Sequence, residues 1–71
     1  MMHAAKLHKS ERLQRVHDVL EAAKDRWLTT RDIARQSHVL AVSTCVSELR
    51  ANGAKIDCER RGDIWRYRMV L

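Results

Sequence analysis

Proline is absent from this chain of 71 residues, and glycine occurs only twice, at Gly53 and Gly62. Two isolated glycines cannot build the glycine-rich loop that cradles phosphates in nucleotide-binding folds. With no proline-rich or glycine/serine-rich stretch, no linker divides the chain, and residues 10–71 are expected to form one domain behind a flexible basic arm, residues 1–9. Cysteine is also scarce. Cys45 and Cys58 form no CxxC motif and no Cys/His cluster with zinc spacing. Each falls inside an apolar pattern, so both are expected to be buried free thiols, suited to a reducing cytoplasm. No apolar run reaches the length of a membrane span or a signal-peptide core, so a cytoplasmic protein without a membrane partner is expected.

Catalytic constellations are missing too. The carboxylates Asp18, Glu21, Asp25, Asp32, Glu48, Asp57, Glu59 and Asp63 and the four histidines are scattered. No serine or cysteine has a histidine and an orienting acid at a plausible spacing. A chain this short buries only roughly 60% of its unfolded surface, so a deep cavity would consume core that stability requires. The expectation is no enzyme, no catalytic residue, no metal site, no cofactor and no small-molecule substrate.

What is present is hydrophobic content of 45%, enough for a folded core, and a positive charge. Fourteen Lys and Arg against nine Asp and Glu give a net charge of +5, and the pI is near 9.9. That balance favours a polyanionic partner, nucleic acid first.

The chain reads in order as three helices and a hairpin. Ser10 is a natural N-cap, and Glu11 suits the positive end of a helix. Leu13, Val16, Leu20, Ala23 and Trp27 alternate three and four apart and make one helical stripe, which Val19 widens. The other face mixes Arg12, Arg15, Asp18, Glu21 and Asp25, so this helix is scaffold. Trp27 and Leu28 are then a short strand stub able to pair with the later hairpin. Thr29 with Asp32 three residues on is a capping box, and predicts a second helix over Thr30–Ser37 with Ile33 and Ala34 inward. His38 occupies the following turn, where positive φ is expected. A third helix over 41–52 has Val42, Cys45, Val46 and Leu49 on a buried stripe. Asn52 and Gly53 end it. Residues 55–60 alternate as a half-buried strand, Arg61, Gly62 and Asp63 turn the chain, and 64–70 return it. Trp65, Tyr67 and Met69 are expected to cover the helices, with Ile64, Arg66, Arg68 and Val70 on the other side.

This layout predicts an α+β fold, a winged helix-turn-helix, in which the third helix enters the major groove of double-stranded DNA. Its exposed residues Ser43, Thr44 and Ser47 are short hydroxyls where an ordinary solvated helix carries Glu and Lys. Arg50 lies further along the same side. Glu48 sits nearby and would repel phosphate unless it accepts from a cytosine N4 or pairs in the neighbourhood of Arg50. Thr30 and Arg31 flank the free N–H groups of the second helix, which suit a phosphate. Arg60, Arg61, Arg66 and Arg68 make the hairpin basic, and the 60–66 segment is expected to touch backbone phosphates or a minor groove.

From Trp27 onward, the pattern VSxxVSELRxxGxxI and the hairpin ending in a tyrosine-bearing strand resemble small winged helix-turn-helix DNA-binding proteins of bacteria and phages. More distantly they resemble the N-terminal domain of biotin repressors. Ser47, Glu48, Leu49 and Arg50 with Gly53, Ile56 and Tyr67 carry the resemblance. It implies a recognition helix followed by a wing, and a transcriptional regulator or phage-type accessory factor, with a homodimer on a palindromic site as one expected form. Val42, Thr44 and Cys45 depart from the family, which often has an arginine or another polar base-reader there. The competing expectation is a protein-docking or homodimerisation module, with the Ile64 and Val70 face as its contact.

Overall fold

A computed structural model describes residues 10–70. The fold is α+β, with three helices and a three-stranded antiparallel sheet. The expected N-terminal arm lies outside the described residues.

Helix α1, Glu11–Ala23, starts where the Ser10 hydroxyl accepts the Leu13 N–H at 3.2 Å. It buries Leu13, Val16, Leu20 and Ala23. It ends at Lys24, whose φ of 55° takes the backbone out of the helix. Trp27 is therefore not on the helical stripe. It is half-buried on the outer face of the sheet, beneath the guanidiniums of Arg66 and Arg68, 5.2 and 4.5 Å from the ring centre.

The stub after it forms strand β1, Leu28–Thr29, one residue later than the pattern suggests. Helix α2, Thr30–Ser37, follows at once, and its capping box is complete. The Asp32 N–H donates to the Thr29 hydroxyl at 3.0 Å, and the Thr29 N–H donates to the Asp32 carboxylate at 3.1 Å. His38 takes the left-handed conformation at φ 59° and starts the turn. Helix α3, Val42–Ala51, is one residue shorter at each end than its sequence pattern. At its end Gly53, φ 98°, donates to the Arg50 carbonyl and Ala54 donates to the Leu49 carbonyl, both at 3.0 Å. This pair of bonds satisfies carbonyls that the last turn would leave open.

Strands β2, Ile56–Arg61, and β3, Ile64–Met69, form a hairpin closed by Gly62 and Asp63. Gly62 has φ 60° and Asp63 does not have a positive φ, the signature of a II′ turn, whose twist matches the strands. The hairpin is not free-standing. Strand β3 is central, with β1 on its other edge pairing Leu28 with Tyr67 and Thr29 with Arg66.

The core lies between the helices and the inner sheet face. Leu13, Val16, Leu20, Ile33, Cys45 and Leu49 are fully buried, and Leu28, Ile56, Tyr67 and Met69 close it from the sheet side. Two expectations fail at this boundary. Trp65 shares the inner face with Tyr67 and Met69 but is 43% exposed. Cys58, opposite Tyr67, is exposed as well. Trp65 lies near the hairpin turn and Cys58 on the edge strand β2, so the correct face does not guarantee cover.

Candidate nucleic-acid interface

The buried stripe of α3 anchors that helix, and its periodicity determines what points away. Ser43, Ser47 and Arg50 recur four and three apart along one flank. Thr44, Glu48 and Ala51 follow the other flank. Of these, Thr44, Ser47 and Ala51 project furthest from the buried stripe and are small, so a partner can approach the backbone closely.

Facing the first flank is the inner side of the hairpin. Between them runs an open groove of about 470 Å³, lined by Thr30, Ser43, Val46, Ser47, Arg50, Cys58, Trp65 and Tyr67. Three hydroxyls and a guanidinium from α2 and α3 thus meet along one surface, and no carboxylate lines it. Arg50 is held in place there, because its Nε donates to the Ile56 carbonyl at 3.0 Å and its Nη2 bonds the same oxygen. Thr30 is tied to the hairpin, its hydroxyl donating to the Trp65 carbonyl at 3.5 Å.

Asp63 lines the adjoining hollow, and three other acids around this surface pair away from it. Glu48 turns to α1 and forms an ion pair with Arg12 at 2.9 Å, so its charge is not presented alone. Glu59 and Asp57 lie on the outer face of the sheet, bonded to Arg66 at 2.9 Å and Arg68 at 2.8 Å. Partial burial pushes the Glu59 carboxyl up, but hydrogen bonds and charge from Arg66 and Arg61 outweigh it and hold its pKa below the ordinary value.

The sequence-derived site residues therefore divide. Ser43, Ser47, Arg50 and Thr30 meet at the groove. Arg31 stands at the start of α2, beside a second hollow of about 670 Å³ that Thr30, Ala34 and Trp65 also line. It is exposed and has no hydrogen bond or ion pair among the described residues. Thr44 lies one stripe over, on the Glu48 side. Arg60 shares the inner face with Trp65, its cross-strand partner, and its Nε donates to the Gly62 carbonyl at 2.7 Å. Arg61, Arg66 and Arg68 are not gathered with the others. They alternate onto the outer face, where Arg61 also bonds Glu59 at 3.2 Å. Trp65 and Cys58, both expected in the core from their strand pattern, are exposed on this surface.

Burial pushes the Cys45 thiol up from its ordinary pKa; Arg12 opposes the shift and Glu48 adds to it. Among the described residues no group of three or more His, Cys, Asp or Glu could hold a metal ion, and no helix is long and apolar enough to cross a membrane. No protein-family model matches the chain, and no match was found among curated proteins or solved structures.

Proposed function

We propose that the protein is a winged helix-turn-helix that binds double-stranded DNA, with α3 in the major groove and the β2–β3 hairpin as the wing. The observation that carries this reading is the carboxylate-free groove between α3 and the hairpin, with Thr30, Ser43, Ser47 and Arg50 on its walls. Short hydroxyls permit close approach to phosphates and base edges, and Arg50 reaches the same strand. Arg31, without a partner among the described residues, and Arg60 supply positive charge on either side. The outer arginines Arg66 and Arg68 act within the sheet, where their charge is matched by Glu59 and Asp57. A role in transcription regulation, or as an accessory factor on DNA, follows from such binding.

The test is fluorescence anisotropy of a labelled duplex across a salt series. Binding at low salt that weakens steeply as salt rises is expected, because phosphate contacts release counterions. Ser47→Glu, which puts a carboxylate on the outermost ridge, should abolish binding while the thermal melt is unchanged. Arg31→Ala with Arg60→Ala should weaken all sequences alike and flatten the salt slope. Absence of binding at low salt would sink the reading.

The second reading, a docking or homodimerisation module, is favoured by exposed apolar side chains: Leu40 at 94%, Ile64 at 56% and Val70 at 42%. Its expected result is self-association by sedimentation with no affinity for duplex.

A further inference from the structure

Trp65 is the large apolar side chain that stands open on the groove, and phosphate contact does not account for it. The indole is 43% exposed on the inner sheet face, whereas Tyr67, two residues on, is 5% exposed. It lines both the groove towards α3 and the hollow towards α2, and is the ridge between them. Its backbone is rigid, paired with Arg60 in the central strand and bonded through its carbonyl to Thr30. Around this flat apolar plate stand Arg31, Arg60 and Arg50. The one acid beside it is Asp63 at the turn, 4.0 Å from the Arg60 guanidinium. An apolar plate bordered by cations matches the surface of a duplex, where sugars and base faces are bordered by phosphates.

We infer that Trp65 is a wedge on the DNA. With α3 in the major groove, the indole packs against the sugar edge and a base step of the adjacent minor groove and bends the duplex. This inference rests on the duplex-binding reading above. It adds selectivity for steps that unstack easily, pyrimidine–purine steps first, without a hydrogen bond to any base. The cross-strand guanidinium of Arg60 is placed to follow the same groove.

The chain's two tryptophans make the test direct, because Trp27 lies on the opposite face of the sheet. Trp27→Phe leaves Trp65 as the sole indole reporter. That variant is titrated with short duplexes labelled at both ends, one with a central TA step and one without. Anisotropy reports binding, energy transfer between the ends reports bending, and indole emission with acrylamide quenching reports contact. The expected result is quenched and acrylamide-shielded Trp65 emission, increased energy transfer, and preference for the TA duplex. Trp65→Ala in the parent chain should lose the bend and bind about tenfold more weakly, the scale of one lost aromatic–base contact. Trp65→Phe should recover part of both, which a merely structural role would not require. Binding with unchanged Trp65 emission, and equal bending by Trp65→Ala, overturns the wedge and leaves duplex binding standing. If the parent chain binds neither duplex, both readings fall. Should Trp65→Ala melt early, the Trp65→Phe and emission data still decide.

Discussion

Lys24 and His38 both hold a positive φ without being glycine, and the two cases differ. His38, at φ 59° and ψ 31°, lies in the left-handed helical region that side chains visit at modest cost. Lys24, at φ 55° and ψ −123°, lies outside it, in a region sparsely populated by residues with a Cβ. Its N–H still bonds the Glu21 carbonyl at 3.0 Å, so the turn is held by the helix end rather than by residue preference. Lys24→Gly should stabilise the fold by about 1 kcal/mol, the relief of strain less the added freedom of the unfolded chain. Urea denaturation followed by circular dichroism checks this, and a neutral or lower midpoint would refute it. The cysteines give a second expectation. Cys58 is exposed and Cys45 is buried with a raised pKa. A thiol reagent should therefore modify one cysteine in the native protein and two in denaturant. Native labelling of both would show that Cys45 is not enclosed.

At the scale of elements, the joint between α2 and α3 depends on a buried serine that hydrophobic patterning does not reveal. Ser37 is 1% exposed. Its hydroxyl donates to the Ile33 carbonyl at 2.6 Å and accepts the Val39 N–H at 3.3 Å. It therefore closes the last turn of α2 and fixes the chain that enters α3. Ser37→Ala would leave the buried Val39 N–H without its partner, at a cost of about 1–3 kcal/mol. A thermal melt shifted by less than the error between replicates would contradict that role. In the proposed binding mode this joint also sets the angle at which α3 meets DNA. The hairpin has its own device. Arg66 and Arg68 bond Glu59 and Asp57 on the neighbouring strand while lying over Trp27, so charge and ring together hold β1, β2 and β3 in register.

For the whole molecule, a single small core serves every element. Leu20 is fully buried within it, on the helix that packs against α2, α3 and β3. Leu20→Ala should cost about 2–5 kcal/mol, a large share of the margin of so short a chain. Partial unfolding at room temperature, seen by circular dichroism, is the expected outcome. Native-like melting would mean that the core collapses around the deletion. The charge is as unevenly used as the core is concentrated. Among the described residues, Glu48, Glu59 and Asp57 are matched by arginines on α1 and on the outer sheet face, and no carboxylate lines the groove beside α3.

Local decisions are written in short stretches of chain. Ser10, the Thr29–Asp32 box, His38, Gly53 and Gly62 each act within a few residues of chain. Hydrophobic spacing then specifies which side of each helix and strand turns inward. The helices, the turn residues and the exposed hydroxyls of α3 are therefore legible in the sequence, and Thr30, Ser43, Ser47 and Arg50 line one groove in the fold. How far the covering layer extends and which charges meet depend on the packing of distant elements. A period of two assigns Trp65 and Tyr67 to the same face. It carries no information on where the helices end above that face, and so Tyr67 is buried while Trp65 is open. Cys58 shares that face too, but it lies on the edge strand β2, and its strand pattern does not report that it is left uncovered. Glu48 finds Arg12 thirty-six residues away, and Trp27 leaves the α1 stripe to lie under Arg66 and Arg68. Contacts between residues so distant in sequence follow from how the layers stack, and no local pattern encodes that.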